Sequence, residues 1–368
     1  MTTTRIGIIG CGTISGAYLR SLASFEGVEV IAVADLDLER AQAKAREHGV
    51  ALAISPAALL AHEDVDLVVN LTVPVAHADI TRAALHAGKA VYSEKPLAVT
   101  AADAQDLVAL AVERGSALGC APDTFLGVGL QTSVQALTDG VIGRPFAAVA
   151  HVVGRGPERW HHDPAFFYRP GAGPLFDMGP YYVTALVALL GPVASVMADA
   201  TRMLSEREIE SGPLAGTRFE VDVDTHVTAL LRFAGGATAT LLTSFDVAAS
   251  ALPRFEVFGD AGTLAVPDPN TFSGPVRVRG PEDEVWRDLP LGFGFAGNVR
   301  GLGAVEMVRA VRAGRPPRAS GALAAHVLEV LEGAVDAAAT GSRVTVSSRP
   351  PVPTPFVIDE LHDLGAAA

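Results

Sequence analysis

A short apolar run, RIGII at residues 5 to 9, opens directly onto Gly10, Gly12 and Ser15 in the spacing GxGxxS, and a helix-like stretch from Ile14 to Phe25 follows. No other feature restricts the fold as much. Glycine is required where a backbone turns tightly out of a buried strand and comes close to a ligand, and the amides opening the next helix then face a pyrophosphate. Ser15 stands where a third glycine is usual, small enough for close helix packing, with Gly16 beside it and Thr13 and Ile14 completing the turn. The same residues also fit an ordinary strand-to-helix turn.

The second apolar run, VEVIAVA at 28 to 34, ends at Asp35, 23 residues after Gly12. A carboxylate there accepts hydrogen bonds from the adenosine ribose and repels a 2′-phosphate. Asp37 adds negative charge with no adjacent arginine to compensate, so NAD is expected over NADP. Arg40 is the basic group that bears against this, and a solvated turn residue is the other reading of Asp35.

Alternation of short strands and helices continues through a strand at Leu67 to Leu71, a helix at Ala76 to Ala87, a strand at Ala90 to Ser93 and a helix at Thr100 to Glu113. This is the pattern of a doubly wound parallel sheet, a Rossmann domain over residues 1–122. Beyond it the runs lengthen and alternate, as in FAAVAHVVG, VTALLRF, ATATLLTSF and RFEVFG. They predict an α+β domain over 123–368, built on a large, mostly antiparallel sheet and serving substrate binding and oligomerisation. Helices are expected at Tyr181 to Leu190, Ala304 to Ala313 and Ala322 to Ala339, and the Pro-rich Arg349 to Pro355 stretch reads as a strap.

Composition removes several classes of function. A formal charge of −13 opposes a nucleic-acid partner. No run has the roughly 20 apolar residues of a membrane span. Arg5 leads straight into the first strand, which does not resemble a signal peptide, and Cys11 and Cys120 lack metal-ligand spacing. A cytoplasmic protein without a metal site is expected.

Two segments carry chemistry. YSEKP ends the strand predicted at Ala90 to Ser93, placing Glu94, Lys95 and Pro96 at the carboxyl edge of the sheet, where ligands of such folds bind. Lys95 is one of only three lysines, with Lys44 and Lys89, among 28 basic residues. Desolvation beside a cationic cofactor ring is expected to lower its pKa and let it take or relay an alcohol proton; a plain strand-end lysine is the alternative. In GAGPLFDMGPYY, Asp177 and Tyr181 share a helical face if the helix extends back through Asp177. They then grip one substrate hydroxyl, or else Asp177 neutralises a helix N-terminus while Tyr181 packs.

Taken in order, GCGTIS, Asp35, the LTVPVAH segment with Thr72, Pro74 and His77, EKP, and GAGPLFDMGPYY resemble the glucose-fructose oxidoreductase/inositol dehydrogenase (Gfo/Idh/MocA) family over nearly the whole chain. The resemblance implies a catalytic role for Lys95 and cofactor contacts from Gly10, Gly12, Thr13, Ile14, Asp35, Thr72, Pro74, His77, Glu94 and Lys95. The family's DxGxH motif is matched at Asp177, with Tyr181 in place of histidine as the proton relay. It also implies a homodimer or homotetramer. The APDTFLG segment departs from many members. With the WHHDPAFFYRPG loop it looks like sugar dehydrogenases, so that Asp123, Phe125, Trp160, His161 and Tyr181 are expected to meet a sugar or polyol. Aromatic faces for the sugar are expected from Phe166, Phe167, Tyr168 and Tyr182 as well. The leading expectation is oxidation of a secondary or anomeric hydroxyl of a sugar, glycoside or cyclic polyol; a diol- or imine-type oxidoreductase and a non-catalytic dinucleotide-sensing regulator are the alternatives.

Overall fold

A buried, branched-chain strand with small polar neighbours at its end can only sit at the centre of a parallel sheet, and β1 (Thr4–Ile9) does so. A computed structural model describes residues 3–292 and 294–365. In chain order the first half continues with α1 (Ser15–Leu22), β2 (Val28–Ala34), α2 (Leu38–His48), β3 (Leu52–Ile54), α3 (Pro56–Ala61), β4 (Leu67–Asn70), α4 (Pro74–His86), β5 (Ala90–Ser93), α5 (Ala101–Arg114) and β6 (Leu118–Cys120). Among the described residues these strands form one six-stranded sheet, ordered β3-β2-β1-β4-β5-β6 and parallel throughout. This is the Rossmann order, with its switch point beside β1.

Local chemistry fixes the helix ends. Asp37 caps α2 by accepting from the amides of Glu39 and Arg40, and Gly49 ends it at φ +69°. The unforeseen α3 begins with Ser55 as cap and Pro56 in its first turn. With β3 only three residues long and α3 only six, neither is long enough to show a period.

The second half contributes α6 (Val128–Thr138), β7 (Pro145–Val153), α7 (Gly173–Leu190), β8 (Val193–Thr201), β9 (Glu206–Glu208), β10 (Arg218–Glu220), β11 (His226–Phe233) and β12 (Thr238–Ser244). There follow β13 (Phe255–Gly259), β14 (Gly262–Ala265), β15 (Arg277–Arg279), β16 (Arg287–Asp288), α8 (Leu302–Arg312), α9 (Gly321–Thr340), β17 (Val344–Thr345) and α10 (Ile358–Leu364). Among the described residues, nine of these strands form one sheet, ordered β16-β15-β14-β13-β7-β12-β11-β8-β17. Only the β12–β7 pair is parallel. Along β11 the side chains alternate: Val227, Ala229, Leu231 and Phe233 are buried, while Thr228, Leu230 and Arg232 are exposed. Helices α7 and α9 lie against this sheet.

The chain then returns to the Rossmann half. Helix α9 packs on α5 as well as on α7 and β8. Ala325 and Leu328 join the core around α5, and the Cys120 amide donates to Ala319 O. The predicted strap is held by Arg318, whose guanidinium donates to Thr354 O and Pro355 O and pairs with Glu306 and Glu360. Helix α7 begins eight residues earlier than the sequence suggests. Pro174, not Pro180, occupies its first turn, and Pro180 lies inside the helix.

Candidate active site

The GxGxxS turn has the geometry its glycines imply. Gly10 adopts φ +104°, and a Cβ there would lie 2.5 Å from Leu71 O, so no other residue fits. A Cβ at Gly12 would meet nothing within 4 Å, and Gly12 and Thr13 are exposed. The floor of the turn is closed and its roof is open. Ser15 is buried and its hydroxyl donates to Gly12 O at 2.7 Å, tying the loop to α1.

Asp35 sits at the end of β2, accepting from the Cys11 amide at 2.8 Å and the Asp37 amide at 3.0 Å. Arg40 reaches both carboxylates, 3.6 Å from Asp35 and 3.5 Å from Asp37. The expectation that Asp37 lacks a compensating arginine is therefore corrected. Spacing on α2 brings Arg40, three residues on, back over its own N-terminus.

Thr72 and Pro74 lie where β4 passes into α4, and the Thr72 hydroxyl donates to Asn70 Oδ1 at 2.7 Å. His77 is buried, with Nδ1 2.6 Å from Pro96 O and Nε2 3.0 Å from Thr72 O. Both ring nitrogens face backbone carbonyls, so His77 ties the two ligand-side loops together. Glu94 is fixed by Tyr18, whose hydroxyl donates to it at 2.7 Å, and by the Lys95 amide at 2.9 Å.

Lys95 leaves the carboxyl edge of β5 and ends against α7. Its Nζ donates to Asp177 O at 2.7 Å and Asp177 Oδ1 at 3.1 Å, and lies 5.3 Å from the centre of the Tyr181 ring. Because α7 already spans Asp177, that carboxylate and Tyr181 do share a face. Burial by itself lowers the Lys95 pKa, but Asp177, Tyr181 and Glu94 together outweigh it and hold the ammonium above its usual 10.5. In the free protein the shift is therefore opposite in direction to the lowering expected beside a cationic cofactor ring, because the carboxylate 3.1 Å away favours the ammonium. Burial also pushes the Tyr181 phenol up, against the opposing pull of Lys95 and Arg300.

Asp177 also lines a cavity of about 510 Å³ with Trp160, Arg155, Arg159, Met178 and Ser244. Trp160 is 68% exposed. Its loop is anchored from below by a network that sequence reasoning missed. Buried Arg207 pairs with the buried carboxylates of Glu158 and Asp246, and Tyr168 donates to Glu158. The partners lie 10 to 49 residues from Glu158 in sequence, which leaves no local signal.

Several expected substrate contacts lie elsewhere. Asp123 is fully buried, and its Oδ2 accepts from the amides of Gly301 and Gly303 at 2.8 and 3.1 Å. Phe125 is in the core. Tyr168 and Tyr182 are buried too, Tyr182 stacked on Phe255. The short buried segment from Asp123 to Leu126 carries the chain from the first sheet to α6, so its side chains point into protein. His161 accepts from the Asp163 amide and stacks on His162, within a cluster holding Trp160, Phe166 and Phe167. Among the described residues no group of three or more His, Cys, Asp or Glu is arranged to hold a metal, and no helix is long and apolar enough to cross a membrane.

The fold and the placement of these residues agree with what comparison shows. Residues 4–121 match the oxidoreductase family model with an NAD-binding Rossmann fold, and residues 130–265 match the GFO/IDH/MocA C-terminal domain. The 1,5-anhydro-D-fructose reductase of Ensifer adhaerens is 32% identical over 227 residues, which cover 60% of this chain and 67% of that protein. Inositol 2-dehydrogenase 3 of Saccharopolyspora erythraea is 29% identical over 276 residues, 73% of this chain and 74% of its own. The apo form of levoglucosan dehydrogenase superposes with a TM-score of 0.82 at 22% identity, over 95% of this chain and 100% of the other, a likeness of fold. With both halves matched in order and the lysine, aspartate and tyrosine brought to one place, the chain belongs to the Gfo/Idh/MocA family of NAD-binding oxidoreductases.

Proposed function

We propose that the protein oxidises a secondary or anomeric hydroxyl of a sugar, glycoside or cyclic polyol, with Lys95, Asp177 and Tyr181 handling the proton. One observation carries the reading: a lysine at the carboxyl edge of the parallel sheet is held on an aspartate and over a tyrosine, beside a cavity large enough for a sugar ring. The open turn at Gly12 and Thr13, with Ile14, Asp35, Thr72, Pro74, Glu94 and Lys95 along the same sheet edge, fits a dinucleotide, NAD in preference to NADP. Bound there, the nicotinamide supplies the acceptor for the hydride.

In the oxidation, the carbon–hydrogen electron pair leaves as hydride, the hydroxyl proton passes to the Tyr181 oxygen, which as phenolate has already released its own proton to solvent, and the electron pair left on the substrate oxygen forms the carbon–oxygen double bond. The Lys95 ammonium, charged through neutral pH, holds the substrate oxygen as a donor, and Asp177 fixes the ammonium. In the reverse direction the same ammonium protonates the forming alkoxide, directly or through Tyr181. The names of the relatives denote work on anhydrofructose and inositol, and that of the structural neighbour on levoglucosan, all polyhydroxylated rings. Exposed Trp160 offers such a ring an apolar face. Cys11 and Cys120 are buried free thiols, which suits a reducing cytoplasm.

A panel of sugars, inositols and glycosides with NAD and NADP, followed by absorbance of the reduced cofactor, tests the reading. Lys95→Ala is expected to abolish turnover nearly completely while retaining NAD binding, and Tyr181→Phe to slow it by about 100-fold or more. Cofactor binding with no reduction across the whole panel would favour a sensor instead. Near-normal activity of both variants would place the chemistry elsewhere.

A further inference from the structure

Tyr181 has two cations beside it. Besides Lys95, the guanidinium carbon of Arg300 lies 5.8 Å from the ring centre, and Arg300 Nη1 donates to the phenol oxygen at 3.5 Å, a long and weak hydrogen bond. Arg300 comes from the loop before α8, 119 residues from Tyr181, and it is held from several directions. Its Nη2 donates to Asn270 Oδ1 at 3.2 Å. The next residue, Gly301, takes φ +102°, a conformation that favours glycine, and its amide and that of Gly303 are both captured by Asp123. A Cβ on Gly301 would press on Tyr18 and Leu22 at 3.2 and 3.3 Å. Buried Asp123, mistaken for a substrate ligand on sequence grounds, thus fixes the turn that delivers Arg300 and places its carboxylate in the field of the guanidinium.

A guanidinium has five donors and no acceptor. A phenol that accepts from it must turn its own hydrogen elsewhere. We propose that Arg300 is the positioning residue of the proton relay: it holds the Tyr181 oxygen against a permanent positive charge and leaves that oxygen free to exchange a proton with the substrate oxygen. The inference rests on Tyr181 being the proton-handling group. It also accounts for a tyrosine in that role, because two cations favour the phenolate that burial opposes. The charged groups facing Tyr181 are Lys95 and Glu94 after β5, Asp177 on α7 and Arg300; those facing Arg300 are Asp123, Glu94, Tyr18 and Tyr181. Tyr168 and Tyr182 are contacted by one arginine each, Arg207 and Arg254.

Carbon NMR of the whole protein labelled at tyrosine Cζ reads each phenol separately. The chain has five tyrosines, and Tyr181→Phe assigns the signal. Arg300→Gln is expected to raise the Tyr181 midpoint by about one unit or more, the scale of losing an opposite charge within about 6 Å, while Arg300→Lys stays within about half a unit of wild type. The signals of Tyr92, Tyr168 and Tyr182 should hold their positions, which also reports that the variant is folded. Asn270→Ala, which loosens the guanidinium without removing its charge, should give a smaller shift of the same sign. With the best substrate of the panel, Arg300→Gln should move the ascending limb of kcat upward in pH and leave KM within about threefold. An unmoved Tyr181 midpoint in Arg300→Gln, or an equal shift in Arg300→Lys, overturns the inference. Near-normal turnover by Tyr181→Phe removes the underlying relay reading, whereas a dead Tyr181→Phe with an unmoved midpoint in Arg300→Gln removes only the part assigned to Arg300.

Discussion

Asp177→Asn gives the most direct test of how the lysine is tuned. The substitution keeps an acceptor oxygen and the backbone carbonyl that Lys95 also uses, and removes only the charge. At 3.1 Å the pair attracts by about 5 kcal/mol at an effective dielectric of ~20 and by about 1 kcal/mol if water screens it fully. Those limits correspond to roughly one to four pKa units. Both side chains are less than a third exposed, at 18% and 27%, so the shift should fall well inside the bracket. In the wild type Lys95 titrates above 10.5 and stays charged through neutral pH. In the variant, Glu94 and Tyr181 remain but desolvation meets less opposition, so the midpoint should fall by at least about one unit. Nitrogen NMR of the lysine side chains can follow this directly, because Lys44 and Lys89 are the only other lysines and single arginine substitutions assign them. A Lys95 midpoint unchanged in Asp177→Asn would refute the assignment of Asp177 as the group that holds the ammonium charged.

Three further outcomes are expected. Asp35→Ala should raise affinity for NADP relative to NAD by about tenfold or more, since it removes a repelling carboxylate and frees Arg40, now 3.6 Å from Asp35, to meet a 2′-phosphate; titration of both cofactors reads it, and an unchanged ratio counts against Asp35. Arg207→Met leaves Glu158 and Asp246 buried without their cation and should cost about 3 to 5 kcal/mol in urea unfolding, with under 1 kcal/mol contradicting the anchoring role. The sheet face away from α7 and α9 presents Leu230 and Met197 as lateral neighbours, 42% and 38% exposed, and is expected to bury itself in a homodimer or homotetramer. Light scattering at micromolar concentration should show the assembly and its loss in Leu230→Glu, while a wild-type monomer rejects it.

What the sequence disclosed is what short spacing encodes. The phosphate turn needs three positions within six residues, Asp35 follows from the length of one βα unit, and Lys95 from the end of β5, so each is legible where it stands. Asp177 and Tyr181 were legible as an i, i+4 pair because helical geometry is local. The errors arise where tertiary packing decides. Asp123 carries the same acid as a substrate ligand, and only the approach of Gly301 from 178 residues away makes it a backbone anchor. Tyr168 and Tyr182 share their segments with exposed aromatics, but their rings point into protein. Arg300 gives no sign in the sequence beyond its flanking glycine, because its partners Asn270, Tyr181 and Asp123 come from three separate segments.

The groups gathered at the sheet edge form one electrostatic unit. Lys95 and Arg300 face Glu94, Asp177 and Asp123 around a phenol; Asp123 is fully buried, and the Lys95 and Asp177 side chains are 18% and 27% exposed. Such a cluster is tolerable only while its charges nearly cancel, because each uncompensated buried ion costs several kcal/mol. Asp123 is the member closest to its switching point. Burial raises its carboxyl to about 6, although the Gly303 and Gly301 amides and Arg300 all favour the ionised form. Above that pH it is charged and offsets Arg300. As pH falls through it, Asp123 takes up a proton, and more of the guanidinium field falls on Tyr181. Since the folded value lies above the usual 3.8, ionising Asp123 weakens the fold between those limits as pH rises, and the loss is complete above about 6. At neutral pH the protein therefore keeps a costly buried carboxylate in place. The return is a fixed turn at Gly301 and an arginine that cannot drift from the tyrosine it faces, which is the preorganisation a proton relay needs.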